Sequence, residues 1–248
     1  MFDRSLRLMT YNVHSCVGPD GKLSVERVAD AIGESAPDVV TLQEIDVCQR
    51  RSGGVDQGEV IAERLGMQVL FASARETDGG RYGNAILSRY PVAPVREGPL
   101  PSKRASRALE PRAAQWAKLA FFGHEVHLVN THLSLDRKER LSQARALLGS
   151  DWVQHPDCAS PLVVCGDFNS IPWSSVYRAM SQRLVDTRRQ LIPRFSATFP
   201  AWLPIFRLDY VFVSPGVLVR STKVPWTPRT RAASDHLPLV VELAFGSS

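Results

Sequence analysis

Apolar residues along the chain recur mostly in short runs of period two or with no polar break, and only a few stretches show the helical period near 3.6. Arg7 to Val13 alternates and predicts a strand whose tip carries Asn12. Val25, Val28, Ala29 and Ile32 then return at helical spacing behind Ser24, a good N-cap, and Pro37-Asp38 stops that helix. Val39 to Leu42 predicts a second buried strand that presents Gln43 and Glu44 at its end. A short helix over Glu59 to Leu65, a strand over Met67 to Ala72 and a strand over Tyr82 to Ser88 follow. Pro91 to Arg112, rich in Pro and Arg, reads as a long surface loop.

Ala113 to Phe121 and Glu125 to Thr131, joined at Gly123-His124, predict a hairpin with His132 directly after it. Asp136 to Gln154 predicts a helix with Leu141, Ala144, Leu147, Leu148 and Trp152 on one face, and with Arg137, Lys138, Glu139 and Arg145 on a solvated one. Leu162 to Cys165 is a buried strand, and Gly166 lets the chain turn and present Asp167 and Asn169. A short helix after Pro172 and an irregular aromatic stretch from Phe195 to Phe206 lead to a strand over Arg207 to Val213. That strand carries Asp209 in its interior, where an acid needs a partner. Ser234-Asp235-His236 precedes a last strand over Leu237 to Phe245. Strands outnumber helices and are interrupted irregularly, which predicts a mixed α and β fold with two sheets rather than a doubly wound parallel sheet.

The 248 residues, 44% of them hydrophobic, suffice for a large core, and with no linker or repeat in sight they read as one domain over residues 1–248. No apolar run approaches the roughly 20 residues of a membrane span, and no signal peptide precedes the first strand, so a cytoplasmic monomer is expected. Cys16, Cys48, Cys158 and Cys165 lack zinc-type spacing and read as reduced thiols. The net charge of +5 favours an anionic partner, either nucleic acid or an anionic lipid surface. Lys103, Arg104, Arg107 and Arg112 crowd around Glu110, a pattern that is commonly a solvated face and that beside a phosphate site becomes a substrate clamp.

Asn12, Glu44, His132, Asp167, Asn169, Asp209, Asp235 and His236 all fall at or beside predicted strand ends. Each has a bland reading: Gly-Asp-x-Asn is good turn chemistry, a strand-end glutamate is common, and a lone histidine is more often hydrogen-bonded structure than catalyst. Taken together, carboxylates with amides suit a hexacoordinate Mg²⁺ that keeps several waters, and two histidines handle protons near neutrality. The set points to hydrolysis of a phosphate ester.

The segments Thr10-Tyr11-Asn12-Val13, Leu42-Gln43-Glu44, Asn130-Thr131-His132-Leu133, Gly166-Asp167-Phe168-Asn169, Arg207-Leu208-Asp209-Tyr210 and Ser234-Asp235-His236-Leu237-Pro238 resemble, in order, the motifs of the endonuclease/exonuclease/phosphatase superfamily. That group includes DNase I, exonuclease III-type abasic endonucleases, neutral sphingomyelinases and inositol polyphosphate 5-phosphatases. The resemblance implies a DNase I-like four-layered sandwich of two packed mixed sheets flanked by helices, with the site at one rim. It implies Mg²⁺, or Mn²⁺ in its place, held chiefly by Glu44 with Asn12 and Asp235 nearby. Asp209 would fix the tautomer of His236, and Asp167 and Asn169 would orient the attacking water or protonate the leaving oxygen. His132 matches the DNase I-like and sphingomyelinase-like branches as a further catalytic residue, and Asn84, Arg107 and Arg112 would contact substrate. His14 stands where abasic endonucleases carry an acid, and the disulfides of secreted DNases have no counterpart, so the chain departs from both nuclease groups.

The substrate stays open at this point. A nucleic-acid phosphodiester is preferred, on the net charge and on reading Phe199, Trp202, Leu203, Ile205 and Phe206 as ordinary packing. A lipid or inositol phosphate is the alternative, with those side chains as a membrane-facing lip. A catalytically inactive interaction module is disfavoured by the intact polar set.

Overall fold

The computed structural model describes residues 4–77, 79–102, 110–190 and 197–246. Its strands are β1 (Leu6–Asn12), β2 (Val39–Val47), β3 (Gln68–Thr77), β4 (Gly80–Ser88), β5 (Val92–Pro99), β6 (Ala113–Phe121), β7 (His124–His132), β8 (Leu162–Asp167), β9 (Val185–Asp186), β10 (Asp209–Val213), β11 (Leu218–Lys223) and β12 (Leu239–Ala244). Its helices are α1 (Val25–Gly33), α2 (Gln57–Leu65), α3 (Arg137–Leu147), α4 (Ser175–Ser181), α5 (Thr187–Gln190) and α6 (Pro228–Ala233). The strands form two six-stranded sheets, in the orders β11-β12-β1-β2-β4-β3 and β5-β6-β7-β8-β10-β9.

Period-two side-chain alternation distributes the apolar residues over three interfaces. Leu6, Leu8, Val39, Val163 and Val241 face the other sheet and meet in a central core. Met9, Tyr11, Val40 and Leu42, pointing the opposite way, pack under α1 and α2 with Val28, Ile32 and Ile61. Val164, Phe168 and Trp116 pack with Ala144 and Leu147 of α3 and Met180 of α4 on the far side of the second sheet. The result is helix, sheet, sheet, helix, the four-layered mixed sandwich that the motifs imply. Central strands buried on both faces explain why their sequences are nearly unbroken apolar runs.

Two parallel pairs set the site. β1 runs into α1 and returns as β2 parallel to β1, and β7 runs through α3 to β8, parallel to β7. The carboxyl ends of all four strands therefore lie on one rim. β10 is antiparallel to β8, so it begins there, with Asp209 opposite Asp167. β12 is antiparallel to β1 and begins beside Thr10, which delivers the Ser234 to His236 segment to the same rim.

Buried amides tie the sheets together at this end. Asn130 Nδ2 donates to the carbonyls of Leu42 and Ala85, both at 3.0 Å, and Gln43 Nε2 donates to Asn130 Oδ1 at 2.9 Å. Such bonds are directional where apolar contact is not, so they pin the relative slide of the two rims.

Several expectations change. The Pro91 to Arg112 stretch is not all loop: its first part is β5, an edge strand paired among the described residues to β6 alone, where Pro94 and Pro99 withhold no ladder donor from a second neighbour. Lys103, Arg104 and Arg107 lie outside the described residues. The helix expected to Gln154 ends at Leu147, before Gly149, and a series of turns carries Trp152 into the core instead. Glu139 is buried rather than solvated, accepting from Gln143 Nε2 at 3.2 Å in the first turn of α3, where the helix dipole favours an acid. Asp209 opens its strand instead of sitting inside it. The packing expected of Trp202, Leu203, Ile205 and Phe206 does not occur, since all four are exposed. All four cysteines are free, and among the described residues no helix is long and apolar enough to cross a membrane.

Candidate active site

A cleft of about 590 Å³ opens at the shared rim, lined by Asn12, Glu44, Arg112, His132, Asp167, Asn169, Asp235 and His236 among others. Asp209 lies beneath it, fully buried. Nine of the eleven residues singled out from the sequence thus converge. Asn84 does not: it is buried and its Nδ2 donates to the Ala113 carbonyl at 3.0 Å, bridging β4 to β6 of the opposite sheet. Arg107 is outside the described residues.

Glu44 owes its position to a break in the ladder. β2 does not end at Leu42; it continues to Val47, and its register with β4 shifts between Leu42 and Ile45. Within that bulge Glu44 has φ 61°, a left-handed conformation that a non-glycine residue adopts at a cost of order 1–3 kcal/mol. Gln43 is buried against the other sheet while Glu44 faces the cleft. Its carboxylate accepts from Asn12 Nδ2 at 3.0 Å, and the same amide nitrogen donates to Asp167 Oδ2, also at 3.0 Å. Asn12 Oδ1 accepts from the His14 backbone amide, so the Asn12 side chain is a fixed bracket between two acids.

His236 is clamped from both sides. Its Nδ1 lies 3.0 Å from Asp209 Oδ2 and its Nε2 3.7 Å from Asp167 Oδ2, while the Phe199 ring packs 4.8 Å from the imidazole. Burial disfavours the imidazolium, yet the Asp209 and Asp167 carboxylates outweigh it and push the pKa up to about 10. Asp167 is displaced upwards as well, by burial first and by Asp209, against the opposing pull of His236. The pair therefore holds a proton in the cleft at neutral pH.

His132 behaves oppositely. It is buried, and desolvation, then Arg112 and His236, hold its pKa well below the usual histidine range. Arg112 Nη1 lies 3.1 Å from Nδ1, and Asn169 Nδ2, which also donates to the Leu133 carbonyl, lies 3.0 Å from Nε2, so N–H donors face both ring nitrogens and disfavour the imidazolium. Nε2 is also 3.5 Å from Asp167 Oδ2. Asp167 Oδ1 also accepts from Asn169 N at 2.8 Å. The Gly-Asp-x-Asn segment is accordingly both the turn and part of the site.

Arg112 is itself anchored, 3.2 Å from Glu110, which also accepts from the Tyr82 hydroxyl. Glu110 lines the cleft, although in sequence it stands out only as the lone acid in a basic cluster. Ser134 and Leu135, which no motif contains, also line the walls, as does Leu208 from the motif that carries Asp209.

The carboxylates that face the cleft offer oxygen ligands. Glu44, with a side chain 20% exposed, and Asp235, at 38%, offer carboxylates beside Asn12. This chemistry fits a hard, partly hydrated divalent cation. Asp167, Asp209 and His236 also offer ligand atoms within 4.8 Å of one another. Their internal bond from His236 to Asp209 already engages Nδ1, so that trio is better suited to holding a proton.

A family model described as Endonuclease/Exonuclease/phosphatase family matches residues 9–236. The protein described as Uncharacterized protein YbhP of Escherichia coli (strain K12) is 26% identical over 253 residues, 96% of each chain. The solved endonuclease/exonuclease/phosphatase from Beutenbergia cavernae DSM 12333 superposes with a TM-score of 0.77 at 26% identity, over 98% of this chain and 72% of that one. The mannosyl-6-phosphatase Bt3783 of Bacteroides thetaiotaomicron VPI-5482 shares the fold, with a TM-score of 0.76 at 22% identity over 97% of this chain and 100% of that one.

Proposed function

The chain belongs to the endonuclease/exonuclease/phosphatase family of phosphate-ester hydrolases, and we propose that it is a divalent-metal-dependent phosphodiesterase whose catalytic domain spans residues 1–248. The observation that carries this reading is the His236 imidazole, fixed on Nδ1 by Asp209 and turned on Nε2 towards Asp167 in the cleft. In that geometry the charged imidazole meets negative charge as it develops on a phosphoryl oxygen, with no reorganisation at the moment of reaction. Asp209 acts through it, by accepting from Nδ1 and so holding the ring's orientation and charge.

Glu44, Asp235 and Asn12 would hold Mg²⁺, or Mn²⁺ in its place, and the ion would supply Lewis-acid stabilisation of the same developing charge. Asp167 and Asn169 would orient the attacking water or return a proton to the leaving oxygen. Neutral His132, held between Arg112 and Asn169, would line the cleft beside Asp167 and help to place the substrate phosphate.

A nucleic-acid substrate is supported by the net charge of +5. A lipid or inositol phosphodiester is the second reading, favoured by the exposure of the side chains from Trp202 to Phe206. Hydrolysis of bis(p-nitrophenyl) phosphate, compared with p-nitrophenyl phosphate and repeated in excess EDTA, tests the proposal. Chelator-sensitive cleavage of the diester is the expected result, and full activity in EDTA would refute metal dependence.

A further inference from the structure

The surface beside the cleft is apolar in a way that phosphate chemistry does not use. Trp173 is 81% exposed, Trp202 and Ile205 62%, Ile171 53%, Leu203 50% and Phe206 45%. These side chains are neighbours. Ile171, Trp173, Ile205 and Phe206 line one cavity of about 910 Å³, and Trp202 and Leu203 sit on a loop closed by pairing of Phe199 with Phe206. That loop is fastened to the catalytic rim: Ala201 N donates to the Asp235 carbonyl at 2.6 Å, and Leu237 N donates to the Thr198 carbonyl at 2.7 Å. Arg178, Arg189 and Arg207 also line the cavity, with no acid among the described residues that line it. Arg207 is paired with Asp186 below, whereas Arg178 and Arg189 are exposed at the edge.

Single exposed apolar residues are ordinary, whereas a contiguous patch with a polar rim marks an interaction site. The side-chain types indicate the occupant. Ile171, Leu203 and Ile205 have no π-face on which a base could stack, which weighs against a single-stranded nucleic acid. Two protruding tryptophans suit the boundary between hydrocarbon and water, where one edge of the indole is apolar and the other wet. Exposed arginines at the edge of such a patch complement an anionic headgroup layer.

We propose that this lip docks the protein on an anionic lipid bilayer and sets the cleft against the headgroup phosphates. Its consequence for substrate, a phosphate ester of a lipid, rests on the phosphodiesterase reading above; the docking does not. The occupant is the bilayer surface, and the loop is held rigidly enough to transmit that placement to Asp235 and His236.

Flotation of the full chain with vesicles of phosphatidylcholine, with and without phosphatidylglycerol, tests the inference. The wild type should float with the anionic vesicles and more weakly with the neutral ones. Trp173→Ser combined with Trp202→Ser should weaken that partition by about tenfold per tryptophan. Arg178→Gln with Arg189→Gln should erase the preference for phosphatidylglycerol. Neither tryptophan lines the cleft, so hydrolysis of bis(p-nitrophenyl) phosphate in solution should stay at the wild-type rate. Wild type that stays unbound, or a double tryptophan variant that floats like wild type, would overturn the inference. So would loss of oligonucleotide binding in the tryptophan variant with no vesicle binding by either protein, which would assign the lip to nucleic acid. A wild type that floats but hydrolyses no diester would leave the docking intact and refute the phosphodiesterase reading instead.

Discussion

Gly166 runs so close to Thr131 that a β-carbon built on it would stand 1.8 Å from the Thr131 carbonyl oxygen. The next residue of each strand faces the cleft, His132 on β7 and Asp167 on β8, and the two are register partners. Gly166 also has φ 137°, a conformation open to glycine and strained for any other residue. The close approach is what brings the two side chains together.

Gly166→Ala should therefore destabilise the protein by about 3 kcal/mol, from overpacking and backbone strain together, and should lower kcat in the fraction that still folds. Urea unfolding monitored by tryptophan fluorescence checks the first effect. A variant as stable as wild type would show that β7 and β8 separate easily, contrary to the contact described.

Replacing Glu44 with Gln should remove most activity at ordinary Mg²⁺ concentration while leaving the melting temperature close to wild type. The amide keeps the shape of the side chain but presents only a neutral oxygen to the cation. Titration with Mg²⁺ separates weak metal binding from a chemical defect: if Glu44 is a ligand, higher Mg²⁺ should restore part of the rate.

His236→Ala should reduce turnover by roughly 10²- to 10⁴-fold, the usual size of a general acid-base or charge-stabilising contribution. Asp209→Asn should slow the reaction too, since an amide does not hold the imidazolium as a carboxylate does. Because Asp209 acts through His236, the double variant should lose little more than His236→Ala alone. Losses that multiply would argue that the two residues work independently.

Acid should destabilise the fold partly through His127, far from the cleft. Its side chain is buried, Trp116 Nε1 donates to Nδ1 at 3.1 Å, and its pKa is lowered by burial first and then by Lys118. The unfolded chain takes up this proton near about pH 6.5, whereas the folded one resists it. Stability from this group is thus fully present above the unfolded pKa and is lost as pH falls towards the depressed folded value. His127→Gln, which keeps an acceptor for Trp116, should show a shallower fall of melting temperature below neutrality. Parallel curves for the two proteins would show that His127 titrates alike in both states.

The eleven candidate residues divide along a physical line. Asn12, His132, Asp167 and His236 could be located from sequence because each lies directly beside an apolar run, and the end of a buried strand is a local property. Glu44 was located for the same reason, although its route to the cleft differs: the strand goes on, and a bulge turns the side chain outward. Asn84 lies in an equally suggestive segment, yet its amide spans to Ala113 of the other sheet, a partner 29 residues away. Glu110 stands only two residues from Arg112 and shows in sequence merely as an acid among basic residues, and Phe199 shows merely as one of an aromatic stretch; it joins the site because a loop brings it to His236.

The amino-acid sequence by itself determined the alternation that makes the strands, the caps that start α1 and α3, the six motifs and hence the family and its chemistry. These are short-range properties, set by side-chain period and by residue types a few positions apart. Tertiary structure alone decided which polar side chains face the cleft, which protonation states His132 and His236 adopt, and that Trp202 to Phe206 remain uncovered. Each of those depends on what packs over a residue from elsewhere in the chain: burial sets the cost of charge, and the neighbours that burial supplies set its sign.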